Sequence, residues 1–212
     1  MSEQTTIKPT KNGPYLVTHC ETLKGMVDDR RYDSAGTVAL CRCGGSKNKP
    51  LCDGTHAQNG FTDEKGDDRA PDTRESYEGG GITIHDNRGI CAHAARCTNG
   101  LPDVFRAGKE PFVDASAASA DEIQATIEQC PSGALSYSVD GTEHRDRESD
   151  PEILIVPNGL YAVRGGADLE AEWGEGASRE HFTLCRCGHS KNKPFCNGAH
   201  WNHHFDENAS ET

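Results

Sequence analysis

Residues 41–56 read CRCGGSKNKPLCDGTH, and residues 185–200 read CRCGHSKNKPFCNGAH. Twelve of the sixteen positions are identical, and every Cys and His of one copy has its counterpart in the other. Such self-similarity marks a duplicated unit. The likeness continues upstream, where Asn12-Gly13-Pro14-Tyr15-Leu16-Val17 parallels Asn158-Gly159-Leu160-Tyr161-Ala162-Val163, with a two-residue difference in the spacing to the first Cys. Each repeat therefore reads as a strand, a Gly-containing turn, a second strand, a variable loop and a Cys-rich segment.

Each copy offers three thiolates and one imidazole: Cys41, Cys43, Cys52 and His56, then Cys185, Cys187, Cys196 and His200. A C-x-C pair can bind from an extended segment, and C-x₃-H places two donors on one face of a helical turn. Gly44 and Gly188 leave room beside the sulfurs and offer amides to them, and the hydroxyls of Ser46 and Ser190 are expected to do the same. Asp53 stands where a helical turn would start, and Asn197 replaces it in the second copy, keeping the cap and dropping a charge. Disulfides are disfavoured because C-x-C is poor bridging geometry. Free buried Cys would not explain one four-donor set occurring twice. Zinc is the serious rival, since Cys₃His is a common zinc set, but its thiolate pairs are usually spaced C-x₂₋₄-C. Residue chemistry favours an iron–sulfur centre and leaves zinc open.

Both segments resemble the CDGSH iron–sulfur (mitoNEET-like) family, whose pattern is C-x-C-x₂-[ST]-x₃-P-x-C-D-G-[SAT]-H. The first copy matches at Cys41, Cys43, Ser46, Pro50, Cys52, Asp53, Gly54, Thr55 and His56. The second matches at Cys185, Cys187, Ser190, Pro194, Cys196, Gly198, Ala199 and His200, departing at Asn197. The resemblance implies a [2Fe–2S] cluster in each motif with three Cys and one His ligand. It also implies a β-rich fold whose two motifs pair across a two-fold interface, so one chain would form an intramolecular pseudo-dimer and remain a monomer. The neutral imidazole raises the reduction potential relative to a fourth thiolate. Its protonation would compete with iron, which makes the clusters candidates for loss in mild acid.

A different unit lies between the copies. Ile82-Thr83-Ile84 reads as a strand, Pro102-Asp103-Val104-Phe105 as a short turn, and residues 121–129 as a helix with a Ser119/Glu122 capping box, stopped by Pro131. The helix delivers Cys130. Residues 91–97 read CAHAARC, and Cys130 is followed by Pro131. Bacterial ferredoxins use C-x₂-C-x₂-C with a remote Cys-Pro; Ala94 stands where the middle Cys would be. The unit resembles the divergent single-cluster ferredoxin domains that accompany CDGSH motifs. Cys91, Cys97 and Cys130 suit a [3Fe–4S] cluster, with [4Fe–4S] as the alternative if His93 or an external ligand supplies a fourth donor.

The expected fold class is α+β: CDGSH modules over 7–61 and 151–205, and a ferredoxin-like domain over 81–139. Polar linkers at about 62–81 and 140–150 separate them. With 33% apolar and 6% aromatic residues among 212, the chain is poor in core material and suits small cross-linked modules. Nine of the ten cysteines fall in the three sites, leaving Cys20 as a small apolar filler or free thiol. Trp201 is expected to pack over the rim of the second cluster. The net charge of −12 argues against nucleic acid as a partner. Neither a signal peptide nor a membrane span is apparent, so a cytoplasmic location is expected. The sequence thus points to a non-enzymatic electron-transfer protein with a redox partner protein. The alternatives are an iron–sulfur carrier serving apo iron–sulfur proteins or a redox/pH sensor, and a zinc-stabilised interaction module.

Overall fold

A computed structural model describes residues 3–209. The first repeat forms β1 (Thr6–Pro9), β2 (Tyr15–Thr18), β3 (Leu23–Gly25) and β4 (Thr37–Leu40). The middle unit forms β5 (Glu75–Gly79), β6 (Ile82–Asp86), α1 (Arg96–Gly100), α2 (Ala120–Ile127), β7 (Leu135–Val139) and β8 (Thr142–His144). The second repeat forms β9 (Glu152–Ile155), β10 (Tyr161–Arg164), β11 (Asp168–Leu169), β12 (His181–Leu184) and α3 (Ala199–Asn202).

Strands of the first repeat follow the period-2 rule: in β2, Tyr15 and Val17 are buried while Leu16 and Thr18 are half-buried. Neither repeat completes a sheet alone. One sheet has the order β11-β1-β2-β4 and the other β12-β10-β9-β3. The third strand of each repeat thus joins the other repeat's sheet, β11 parallel to β1 and β3 parallel to β9. The exchange is reciprocal, and it merges two thin apolar faces into one core. Ile7, Tyr15, Val17, Leu23 and Leu40 of the first repeat pack with Ile153, Tyr161, Val163, Phe182 and Leu184 of the second. Cys20 is buried in the same core.

The middle unit has its own antiparallel sheet, β5-β6-β7-β8. Its core joins Ile82 and Ile84 of β6 to Val104, Phe105, Ile123 and Ile127. Helix α2 starts on the capping box: Ser119 accepts from the Glu122 amide at 3.4 Å, and Glu122 accepts from the Ser119 amide at 3.1 Å. It ends at Ile127, not at residue 129. A tight turn follows, with the Cys130 amide donating to the Ile127 carbonyl at 2.8 Å. The sheet also reaches beyond the expected limits of 81 and 139. The stretches expected as linkers contain β5 and β8, edge strands whose polar side chains face water and imitate linker composition.

Candidate metal centres

In each repeat the ligand segment leaves the sheet at the end of its last strand. β4 delivers Cys41 and Cys43, and β12 delivers Cys185 and Cys187. The Cys41 and Cys43 sulfurs are 3.8 Å apart, and those of Cys185 and Cys187 are 3.9 Å apart. Cys52 Sγ lies 3.4 Å from His56 Nδ1, and Cys196 Sγ lies 3.5 Å from His200 Nδ1. These separations have a simple meaning. For tetrahedral bonds of ~2.3 Å to sulfur and ~2.0 Å to nitrogen, two thiolates on one metal stand about 3.8 Å apart, and a thiolate and an imidazole about 3.5 Å apart. Each pair is therefore set to grip one metal. Among the described residues, however, no group of three or more His, Cys, Asp or Glu could hold a single ion. The donors come as two pairs per site.

Backbone amides surround the sulfurs. The Gly45 amide donates to Cys43 Sγ, and the Gly54 and Gly198 amides to Cys52 and Cys196 Sγ, each at 3.4 Å. Within each C-x-C pair the sulfur–sulfur hydrogen bond pushes one thiol down, Cys43 in the first copy and Cys185 in the second, each to about 6. Such thiols are readily made thiolate, the form that binds metal. The serine hydroxyls do not serve the sulfurs as expected. Ser46 donates to the Leu51 carbonyl and Ser190 to the Phe195 carbonyl, both at 2.6 Å, so each pins the loop across its proline. What reaches the first sulfur of each pair is the serine's own amide together with the expected Gly44 or Gly188 amide. At Cys41 these oppose a net rise caused by its hydrogen bond to Cys43 and by burial, and at Cys185 they add to the lowering that the Cys187 bond begins.

Asp53 does not stand at the cap as expected; Gly54 opens the turn, and Asp53 precedes it. Asp53 accepts from the Thr55 amide at 3.0 Å and from the Lys47 amide at 2.8 Å, and these bonds, Lys47 first, hold its carboxyl down at about 2. Among the described residues, Asn197 accepts only from the Ala199 amide, at 3.2 Å, just ahead of Gly198, which opens α3. Trp201 rests against His200, ring centres 5.0 Å apart, and is 62% exposed, at the outer edge of the second site.

The two sites abut. Cys43 and Cys187 form an antiparallel bridge, and a Cβ on Gly44 or Gly188 would lie 2.5 Å from the carbonyl oxygen of Cys187 or Cys43. Only glycine fits at these two positions. Two tyrosines, in equivalent places of the repeat, complete the contact. Tyr15 donates to the Cys185 and Pro194 carbonyls, both at 2.9 Å; Tyr161 donates to those of Cys41 and Pro50 at 2.8 and 3.0 Å. The repeat identified these tyrosines as equivalent, but their roles were not anticipated.

In the middle unit, Cys91, Cys97 and Cys130 line one cavity of about 240 Å³, together with Asp86, Arg88, His93 and Ser132. Burial pushes the Cys91 thiol up to about 12 and also raises Cys97. Asp86 was overlooked in the sequence. It is 2% exposed, its Oδ1 has no hydrogen-bond partner, and burial raises its carboxyl to about 6. Its position on the Ile82, Ile84, Asp86 face of a strand, one charge among core residues, is the signal that could have found it.

Comparison with known proteins agrees with this layout. Residues 12–57 and 158–201 match the family described as iron-binding zinc finger, CDGSH type, and residues 77–140 match the divergent 4Fe-4S mono-cluster family. The uncharacterized protein YjdI of Escherichia coli, in strain K12 and in O157:H7, is 31% identical over 61 residues, covering 29% of this chain and 80% of YjdI. No solved structure matches the chain. Among the described residues, no helix is long and apolar enough to cross a membrane.

Proposed function

We propose that this chain, which belongs to the CDGSH iron-binding family and carries a divergent 4Fe-4S mono-cluster domain between its two motifs, is a three-cluster electron-transfer protein. The carrying observation is the pairing of donors. Two pairs per motif, each spaced for one tetrahedral metal, suit a two-iron cluster with Cys41 and Cys43 on one iron and Cys52 and His56 on the other. Cys185, Cys187, Cys196 and His200 repeat the arrangement. A single zinc ion would need all four donors to converge, which disfavours the zinc-stabilised module. The reciprocal strand exchange and the Tyr15 and Tyr161 bonds support reading the repeats as an intramolecular pseudo-dimer.

For the middle site the family match favours four irons over the three expected from its cysteines. Cys91, Cys97 and Cys130 would hold three of them. Asp86 is the better candidate for the fourth donor, because this buried residue lines the cavity and its Oδ1 lacks a hydrogen-bond partner, Oδ2 lying 3.7 Å from Arg88 Nε, whereas the His93 ring packs on Gly198. When bound, such clusters supply one-electron redox chemistry; the protein's part is to hold them, exclude water and set their potentials. The partner would be a redox protein, and the first site is the more accessible one.

Iron and sulfide analysis of anaerobically purified protein, with EPR, tests this reading. It expects about eight irons per chain, counted from two [2Fe–2S] and one [4Fe–4S] cluster, each reversibly reduced. Stoichiometric zinc, or clusters that cannot be cycled, would overturn it. The carrier reading draws on the exposed first site. Transfer of cluster to an apo-ferredoxin faster than spontaneous decay would favour it.

A further inference from the structure

The two CDGSH sites share a ligand set but not an environment. In the first, Cys52 and His56 are half-exposed, and a Cβ on Gly54 would meet nothing within 4 Å. In the second, Cys196 is 3% and His200 5% exposed. The cover comes from the middle unit, and from the loop that carries its cysteines. A Cβ on Gly198 would meet the His93 side chain at 2.9 Å. Ala92, next to Cys91, packs in one apolar cluster with Cys196, Leu160 and Ala162. Asn192, 1% exposed, donates to the Gly89 carbonyl at 2.7 Å and to Asp72 at 3.1 Å, while its counterpart Asn48 is exposed. One short segment, residues 89–93, thus lines the middle cavity through Cys91 and His93 and lies against the second CDGSH site through Ala92 and His93.

The second site in turn abuts the first through the Cys43–Cys187 bridge.

We propose that the middle cluster exchanges electrons directly with the second CDGSH cluster, and that the first CDGSH cluster is the outward station. The route then runs middle, second, first, which is not the order of the sites along the chain. This rests on the electron-transfer reading and gives it a direction. One electron leaves the reduced middle cluster, which is oxidised by one equivalent, and the oxidised second cluster is reduced by one; no bond changes and no proton is needed. The downhill sense is from the middle cluster to the His-ligated one, because a neutral imidazole in place of thiolate raises the potential. The first cluster, with His56 half-exposed, then meets the partner.

EPR of the fully reduced holoprotein tests the order, because neighbouring half-integer spins broaden one another and speed relaxation. In wild type the middle-cluster signal is expected to be broadened and fast-relaxing. Cys52→Ala, which empties the first site, leaves that broadening in place; Cys196→Ala, which empties the second, abolishes it. Iron content shows that the other two clusters are present in each variant. Should Cys196→Ala fail to fold, wild type and Cys52→Ala decide: no broadening in wild type, or its loss in Cys52→Ala, overturns the order. Clusters that reduce reversibly without this coupling would overturn the route and leave electron transfer standing. Clusters that never reduce would overturn both.

Discussion

The hydroxyl of Tyr15 ends on the carbonyl of Cys185, 2.9 Å away and 170 residues further along the chain. A tyrosine of the first repeat thus fixes the backbone that carries a candidate ligand of the second, and Tyr161 returns the contact to Cys41. Both hydroxyls are fully buried, so each lost bond strands an acceptor.

Tyr15→Phe is therefore expected to cost about 1–3 kcal/mol in denaturant unfolding, as is Tyr161→Phe. The spectral effects should cross over. Tyr15→Phe alters the visible absorption of the second cluster more than the first, and Tyr161→Phe the reverse. Equal changes at both clusters in each variant would contradict the exchange.

Gly54 and Gly198 both have positive φ, 91° and 80°, so an alanine at either is strained by about 1–2 kcal/mol. Only at Gly198 does the new methyl also meet His93. Gly198→Ala should exceed Gly54→Ala by about 1–3 kcal/mol of overpacking, and His93→Gly, which removes the Cβ that makes the 2.9 Å contact at a position of positive φ, should recover much of that excess in the double variant. Thermal unfolding of wild type, the three single variants and the His93/Gly198 double variant measures it; matched costs for the two glycines would remove the contact.

His181, 3% exposed, is held by burial, then by Arg147, at about 4. Ser178 donates to Asp146 at 2.8 Å, so its oxygen accepts from His181 Nδ1, 2.9 Å away, and burial favours the neutral ring. The sign follows from proton binding. Above the ordinary value near 6.5 neither state is protonated; below it the unfolded chain gains a proton that the folded one refuses until about 4. Stability is lost as pH falls through that window, by up to roughly 3 kcal/mol. His181→Gln should flatten this loss in urea titrations compared with wild type. Parallel pH profiles for the two proteins would refute it.

Asp86→Ala should lower iron from about eight to about seven per chain and give the oxidised protein an S = 1/2 signal near g ≈ 2.01, the mark of a three-iron cluster. His93→Ala should leave the count unchanged. If His93→Ala loses the iron and Asp86→Ala does not, the assignments exchange.

The Cys₃His groupings were legible because two identical spacings repeat, and a grouping built within sixteen residues needs no tertiary knowledge. The Ser119/Glu122 cap was legible for the same reason: it is local. Strands β5 and β8 were not, because Glu75-Ser76-Tyr77-Glu78 at a solvated edge looks like any charged linker. The hydroxyls of Ser46 and Ser190 were assigned to the wrong acceptor because sequence places them near the sulfurs without saying which way they turn. The cover over His200 left no trace in the motif itself. It comes from Gly89, Ala92 and His93, whose contact with the second repeat depends on how two units dock.

The exchanged strands also constrain the timing of synthesis. Thr6 of β1 pairs with Asp168, so the first sheet waits for about 160 residues of further translation, roughly 10–30 s at ordinary elongation rates. Until then Ile7, Tyr15 and Val17 lack half of their core, and the carbonyl of Cys41 lacks the hydroxyl of Tyr161. A ribosome-bound first repeat is thus an unfinished half with its thiols in hand. Both CDGSH sites reach their final form together, once the second motif through His200 has emerged, and that moment sets the earliest time for stable iron loading.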